Sequence, residues 1–218
     1  METEKGFILT RHASDRNGHC ELYYYGRSDS GPFKIIITPH NPLFFVRKDT
    51  AAIPPLTGMN RREVPLESFE HTKVDALYFK TLNNYYNAKK ELREHRIKTF
   101  ESDVRPADRY VMERFINSSV EISGKHHKEG TLTVWINPRM QPVEYSPEFR
   151  WLSIDIETGQ TDPDLFGIEP TFAAENSTLY SIAMQGTFVN HELKKVFVVG
   201  DTPFSDRYKE TENTAESN

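Results

Sequence analysis

The pattern that most constrains this chain is a succession of short β-branched and aromatic runs separated by turn residues. "GFILTRH" and "CELYYYG" flank "SDRNG". The Asn17-Gly18 pair in that segment marks a two-residue hairpin, because both central positions of such a turn need positive φ, which Asn and Gly tolerate. "FKIIIT" follows Ser30-Gly31-Pro32, and "PLFFV" comes next. Runs of this length, rich in residues that fit a pleated surface, predict an antiparallel meander. "AAIPPLTGMNRRE" carries prolines and a glycine and reads as loop.

The periodicity then changes. "VDALYF" reads as a strand and "TLNNYYNAKKELREHR" as a helix, with Leu82, Tyr85, Tyr86 and Leu92 at helical spacing. "IKTFES" returns as a strand and completes a strand–helix–strand unit. "RPADRYVMERFI" predicts a second helix, with Pro106 at its first position and Ala107, Val111 and Phe115 on one face. "VEISG" and "TLTVWIN" predict a hairpin around the loop "KHHKEG". The proline-rich "NPRMQPVEYSPEFR" reads as a connector, with the domain boundary after residue 147. Three further strands follow in "WLSIDIE", "LYSIAMQGTF" and "KKVFVVG". Residues 158–177 read as a long loop and 206–218 as a polar, mobile tail. The predicted fold class is α+β: a mostly antiparallel domain over 1–147 containing the strand–helix–strand unit, then a strand-rich segment over 148–205.

With 218 residues, 37% hydrophobic and 27% charged, the chain can bury a core without staples. Its formal net charge of −5 argues against a passive basic nucleic-acid coat, so nucleic-acid contact would have to come from local patches or bound metal. Cys20 is the single cysteine, which excludes an internal disulfide and suggests a small core or surface residue. No apolar run reaches the roughly 20 residues of a membrane helix, and the start lacks a signal-peptide pattern. The expected location is therefore a reducing cytoplasm, with no membrane partner.

"WLSIDIETGQ" carries the chemistry. Side chains alternate along a strand, so Leu152, Ile154 and Ile156 share one face, and Ser153, Asp155 and Glu157 share the other. Adjacent carboxylates on one face repel unless solvated or bridged by a cation. Most such pairs are simply wet. The alternative is half of a magnesium or manganese site, of the kind in which paired ions cleave phosphodiesters.

"WLSIDIET" resembles the first exonuclease motif of the family B DNA polymerases, and "ESDVRPADRYVMERFI" resembles the segment preceding it. "GFILTRH" is similar to the start of bacterial members, and "LYSIAMQG" and "KKVFVVG" to the second and third strands of their proofreading domain. The resemblance runs in order from residue 6 to about residue 200. It implies a DNA-directed DNA polymerase with 3′→5′ proofreading, and a ribonuclease-H-like exonuclease domain beginning near residue 148. It implies Asp155 and Glu157 as catalytic metal ligands for Mg2+ or Mn2+, with Glu157 also positioning the attacking water. It implies template-primer DNA and deoxynucleotides as partners, a sliding clamp docked through a region outside this sequence, and work at the bacterial nucleoid. The family's further acidic motifs are not found: beyond Glu157 no Tyr is followed four places on by Asp, and "FSD" at 204–206 lacks its preceding Asn. The expectation is therefore an amino-terminal piece of a longer enzyme, scaffold-like and inactive alone.

Two other readings stay open. The chain could be a complete small nuclease drawing further ligands from Asp201, Asp206 or the acidic tail, or a non-catalytic module that binds single strands. Lys89, Lys90, Arg93, Arg96 and Lys98 are interrupted by Glu91 and Glu94, which predicts a solvated face with i,i+3 and i,i+4 pairing. His126 and His127 are adjacent in a flexible loop, and a closed metal site there would need more ligands. Arg109 is expected to pair with a nearby acid and Tyr110 to pack a helix on the sheet. Tyr23, Tyr24, Tyr25, Phe44 and Phe45 are expected mostly in the core rather than on a base-stacking platform.

Overall fold

Asn17 and Gly18 both take positive φ, 50° and 75°, and close the hairpin between β1 (Glu2–Arg16) and β2 (His19–Ser28). The structure, a computed structural model, describes residues 2–160, 177–188, 191–198 and 214–216. β2 continues antiparallel into β3 (Gly31–His40). Alternation along these strands sends Ile8, Leu22, Tyr24, Phe33, Ile35 and Ile37 into one core. The Phe33 ring lies across Gly6 and Gly26, where an added Cβ would stand 2.4 and 2.3 Å from it, so the two glycines make room for the ring.

The meander stops after three strands. β4 (Leu43–Arg47) leaves for a second sheet, where it pairs with β6 (Lys73–Phe79) and β7 (Thr99–Phe100). The outer strand of that sheet is β5 (Met59–Glu67), which corrects the loop expected there. Its residues are largely exposed, so the apolar alternation that marks other strands is weak.

Helix α1 (Leu82–Glu94) begins where the Thr81 hydroxyl accepts the Asn84 N–H at 3.1 Å. The Asp15 carboxylate, at the tip of the first hairpin, accepts the N–H groups of Leu82 and Asn83 at 2.7 and 3.0 Å. These acceptors satisfy donors that a helix start leaves free. Tyr85, Ala88 and Leu92 pack on Phe44, Val46, Leu77 and Phe79, while Tyr86 turns outward. α2 (Pro106–Met112) has Pro106 in its first turn and is shorter than predicted. Phe115 takes φ 56° and is 85% exposed, so the chain turns out of the helix there, and Ile116 enters the core in its place. The Tyr24 hydroxyl donates to the Ala107 carbonyl at 2.8 Å and ties α2 to β2.

β8 (Ser119–Gly124) pairs with β1 and with β11 (Arg139–Pro142) rather than with the strand that follows it. The hairpin forms instead between β9 (His126–Glu129) and β10 (Leu132–Ile136), and β10 lies parallel to β3. The "KHHKEG" loop is therefore mostly strand, with its turn at Gly130 (φ 62°). The large sheet runs β11-β8-β1-β2-β3-β10-β9 and the smaller one β5-β6-β4-β7.

The chain divides into two units, Met1–Pro147 and Glu148–Asn218. In the second, β12 (Trp151–Gln160), β13 (Ser177–Phe188) and β14 (His191–Val198) form an antiparallel ladder, with β15 (Thr214–Glu216) parallel to β14. β12 continues through Gln160, so Thr158, Gly159 and Gln160 belong to a strand rather than to the loop expected from Thr158. Residues 161–176 and most of the predicted tail lie outside the described residues. Among the described residues, no helix is long and apolar enough to cross a membrane.

Candidate metal centre

β12 is the outer strand of its sheet among the described residues, and its pleat puts Asp155 and Glu157 side by side on one face. Two residues of strand separate them by about 6.5–7 Å. Their cross-strand neighbours are small: Ala183 pairs with Asp155 and Ser181 with Glu157. Neither side chain covers a carboxylate, and both acids are exposed. Among the described residues neither carboxylate makes a hydrogen bond or an ion pair. After Glu157 the register slips, leaving Tyr180 as the extra residue of β13. The Tyr180 ring then lies against Gly159, where a Cβ would sit 2.3 Å from it. The slip therefore lies immediately beyond the acids and leaves their own pairing regular.

The opposite face carries Leu152, Ile154 and Ile156 beside Ile182, Met184 and Phe197. These three β12 side chains were expected to pack on a core, yet they are 46%, 54% and 54% exposed. The described part of this unit consists of strands, with no helix laid over them.

The donor set suits a hard cation. Magnesium and manganese bind carboxylate oxygens and retain several waters, so two exposed carboxylates with open space beside them fit that chemistry. They do not complete a cage: among the described residues there is no group of three or more His, Cys, Asp or Glu side chains that could hold a metal. Asp201 and Asp206 lie outside the described residues.

No protein-family model matches the chain. Over 161 residues, 71% of its length, it is 35% identical to DNA polymerase II of Escherichia coli strain K12. Its fold matches the family B DNA polymerase from the archaeon Pyrobaculum calidifontis with a TM-score of 0.62 over 90% of the chain, at 17% identity. The chain belongs to the family B DNA polymerases. It spans 20% of the Escherichia coli relative and 27% of the archaeal one.

Several other polar and aromatic residues singled out in the sequence have partners inside the first unit. His126 lies against Trp135, ring centroids 4.4 Å apart, and meets Glu2 at 3.0 Å. His127 pairs with Glu129 at 3.1 Å. Neighbouring strand positions point the two imidazoles to opposite faces, so they do not share a ligand. Cys20 is buried, and burial, with Asp15 and Glu21 nearby, pushes its thiol up to about 12, away from nucleophilic use. Tyr24 and Phe44 are fully buried, Tyr23 and Phe45 nearly so, and the partly buried Tyr25 stacks on His12 with ring centroids 5.8 Å apart. Arg109 binds Glu101 at 2.7 Å and lies over the Phe45 ring at 5.4 Å. Tyr110 packs against Tyr24 and His40.

Sequence reasoning missed the partners of the acids. The alternation of "WLSIDIE" fixes which side chains share a face, but Ala183 and Ser181 become their neighbours only through the register of β13. No local pattern encodes that register.

Proposed function

We propose that Asp155 and Glu157 are two ligands of the divalent-metal site of a 3′→5′ proofreading exonuclease, in a DNA polymerase of family B. On this reading the strands from β12 onward belong to a ribonuclease-H-like domain. The observation that carries it is the pair of unpaired carboxylates on one face of β12, opposite Ala183 and Ser181, within a chain of this family. Magnesium or manganese, when bound, would ease deprotonation of an attacking water and stabilise the leaving oxygen. The chain's own contribution is to hold the two carboxylates at a spacing set by the strand. The Glu157 carboxylate would also accept a hydrogen bond from the water and orient it. The remaining ligands would come from outside the described residues. Alone, the 218-residue chain would then bind metal weakly and serve as scaffold. The whole enzyme would act on template-primer DNA with deoxynucleotides, in the cytoplasm.

The test is 3′→5′ release of nucleotides from a labelled primer by the gene product purified from its source cells. Asp155→Ala or Glu157→Ala should lower the metal-dependent rate by at least about 100-fold, more than loss of an outer-shell partner costs, while polymerisation persists. Undiminished release by both variants would refute the assignment.

A further inference from the structure

We propose that the cationic groove at the carboxyl end of α1 binds the phosphodiester backbone of single-stranded DNA, with Tyr86 stacking an unpaired base beside it. This places a nucleic-acid contact wholly within the first unit. It rests on the reading that the chain handles DNA.

The groove encloses about 470 Å³ and is lined by Tyr86, Lys89, Lys90, Arg93, Arg96 and Lys98, among others, with no carboxylate in its wall. Five cations in one groove stand against a chain whose net charge is −5. The intrahelical pairing expected from Glu91 and Glu94 does not cancel them. Lys90 reaches Glu94 only at 4.0 Å, and Glu91 faces His95 at 3.6 Å. Lys98 is held by Glu70 at 2.6 Å. Lys89, Arg93 and Arg96 have no carboxylate partner among the described residues.

Helix electrostatics explains part of this cluster. A cation in the last turn, here Arg93, complements the carbonyl end of α1. Arg96 and Lys98 lie beyond the helix, where that explanation weakens. Arg96 also takes φ 56°, the left-handed conformation that glycine adopts freely and other residues adopt at a cost. A guanidinium is thus presented at a backbone position that favours glycine.

Three features indicate a single strand. Lys89 and Arg93 are about 6 Å apart along the helix axis, and Arg96 and Lys98 line the same groove beyond the helix end, so it offers charge at more than one position along its length. Tyr86 is 49% exposed with the Lys89 ammonium 5.5 Å from its ring centroid. A half-exposed ring beside cations can stack a free base, which a duplex does not offer. The volume lies within the range of small-ligand pockets, about 300–1,000 Å³, room on the order of one nucleotide at a time.

The experiment measures fluorescence anisotropy of labelled oligo(dT) with the full chain across a salt series. Arg93→Gln/Arg96→Gln/Lys98→Gln should weaken binding at least tenfold at low salt. It should also reduce the slope of log affinity against log salt by about 2, at roughly 0.7 per lost phosphate contact on a single strand. Tyr86→Ala should weaken binding about fivefold or more, the lower end for one stacked base. Lys5→Gln/Arg27→Gln/Arg139→Gln removes equal charge from exposed positions of the large sheet and should change little. Arg96→Gly separates binding from folding: it should leave or raise the melting temperature because glycine suits that φ, yet weaken binding severalfold. Equal loss in both triple variants, full binding by Arg96→Gly and the groove triple, or complete competition by millimolar dTTP would overturn the proposal. So would absence of oligo(dT) binding by the unaltered chain. Nuclease assays on the Asp155 and Glu157 variants judge the metal-site reading separately.

Discussion

The two units differ in what they do with their apolar residues. In the first, each sheet has a face closed by a helix. Phe44, Leu77, Phe79, Tyr85 and Leu92 meet under α1, and Ile8, Leu22, Tyr24 and Ile35 meet under α2 with Val111 and Ile116. In the second, the ladder of β12, β13 and β14 is regular, but among residues whose exposure is described Gly186 alone is buried. Backbone pairing and side-chain burial are thus separable. A carboxylate facing water is at ease, so Asp155 and Glu157 are stable where they stand. A half-exposed Ile154 or Ile156 leaves unrealised about half of the roughly 1.5–3 kcal/mol that full burial of such a side chain contributes. The apolar face is therefore the part of the second unit with most to gain from a cover.

The largest test of this contrast is truncation. Phe44→Ala should cost about 3–5 kcal/mol by urea denaturation, the range for a buried aromatic, whereas Ile154→Ala should cost under about 1 kcal/mol because much of the side chain already meets water. Equal costs would show that the face of β12 is covered in solution. A middle-sized effect is expected at the hairpin tip. Asp15→Ala removes the acceptor for two N–H groups of α1 and should lower stability by roughly 1 kcal/mol, as loss of a helix cap does; an unchanged urea midpoint would remove Asp15 from the account.

The smallest expected effect is a dependence on acid. Burial acts most strongly on Asp108 and favours its neutral form, but hydrogen bonds from Arg11 and Arg105 outweigh it and hold the carboxyl below its ordinary value of 3.8. A carboxyl lowered by folding stabilises the protein above its unfolded pKa, and that contribution disappears as pH falls through the folded value. Melting temperature should therefore drop more steeply below about pH 4 in the unaltered chain than in Asp108→Asn. Parallel curves would mean that the Arg11–Asp108–Arg105 group contributes nothing to acid stability.

Much of the first unit is legible locally. Asn17-Gly18, Pro106 and the period of α1 each act within a few residues. The failures are nonlocal. β5 is exposed along most of its length, so it lacks the alternation that would mark it as a strand. β10 chose β3 over β8, a choice made by sheet order. Phe115 fits the face of a longer α2, but the helix ends first. At the candidate site, the face shared by Asp155 and Glu157 follows from the two-residue period, whereas the small neighbours that leave them open depend on the register of β13. The cations of α1 are visible in the sequence, but pairing rules overstate how far Glu91 and Glu94 neutralise them.

The most direct measurement is a titration of the 218-residue chain with Mn2+, followed by two-dimensional amide NMR. Paramagnetic broadening should centre on residues 153–157 of β12 and on Ser181 and Ala183 across from them, and it should vanish in Asp155→Asn/Glu157→Gln. Broadening centred elsewhere, or unchanged in that variant, would contradict the assignment of this carboxylate pair as metal ligands.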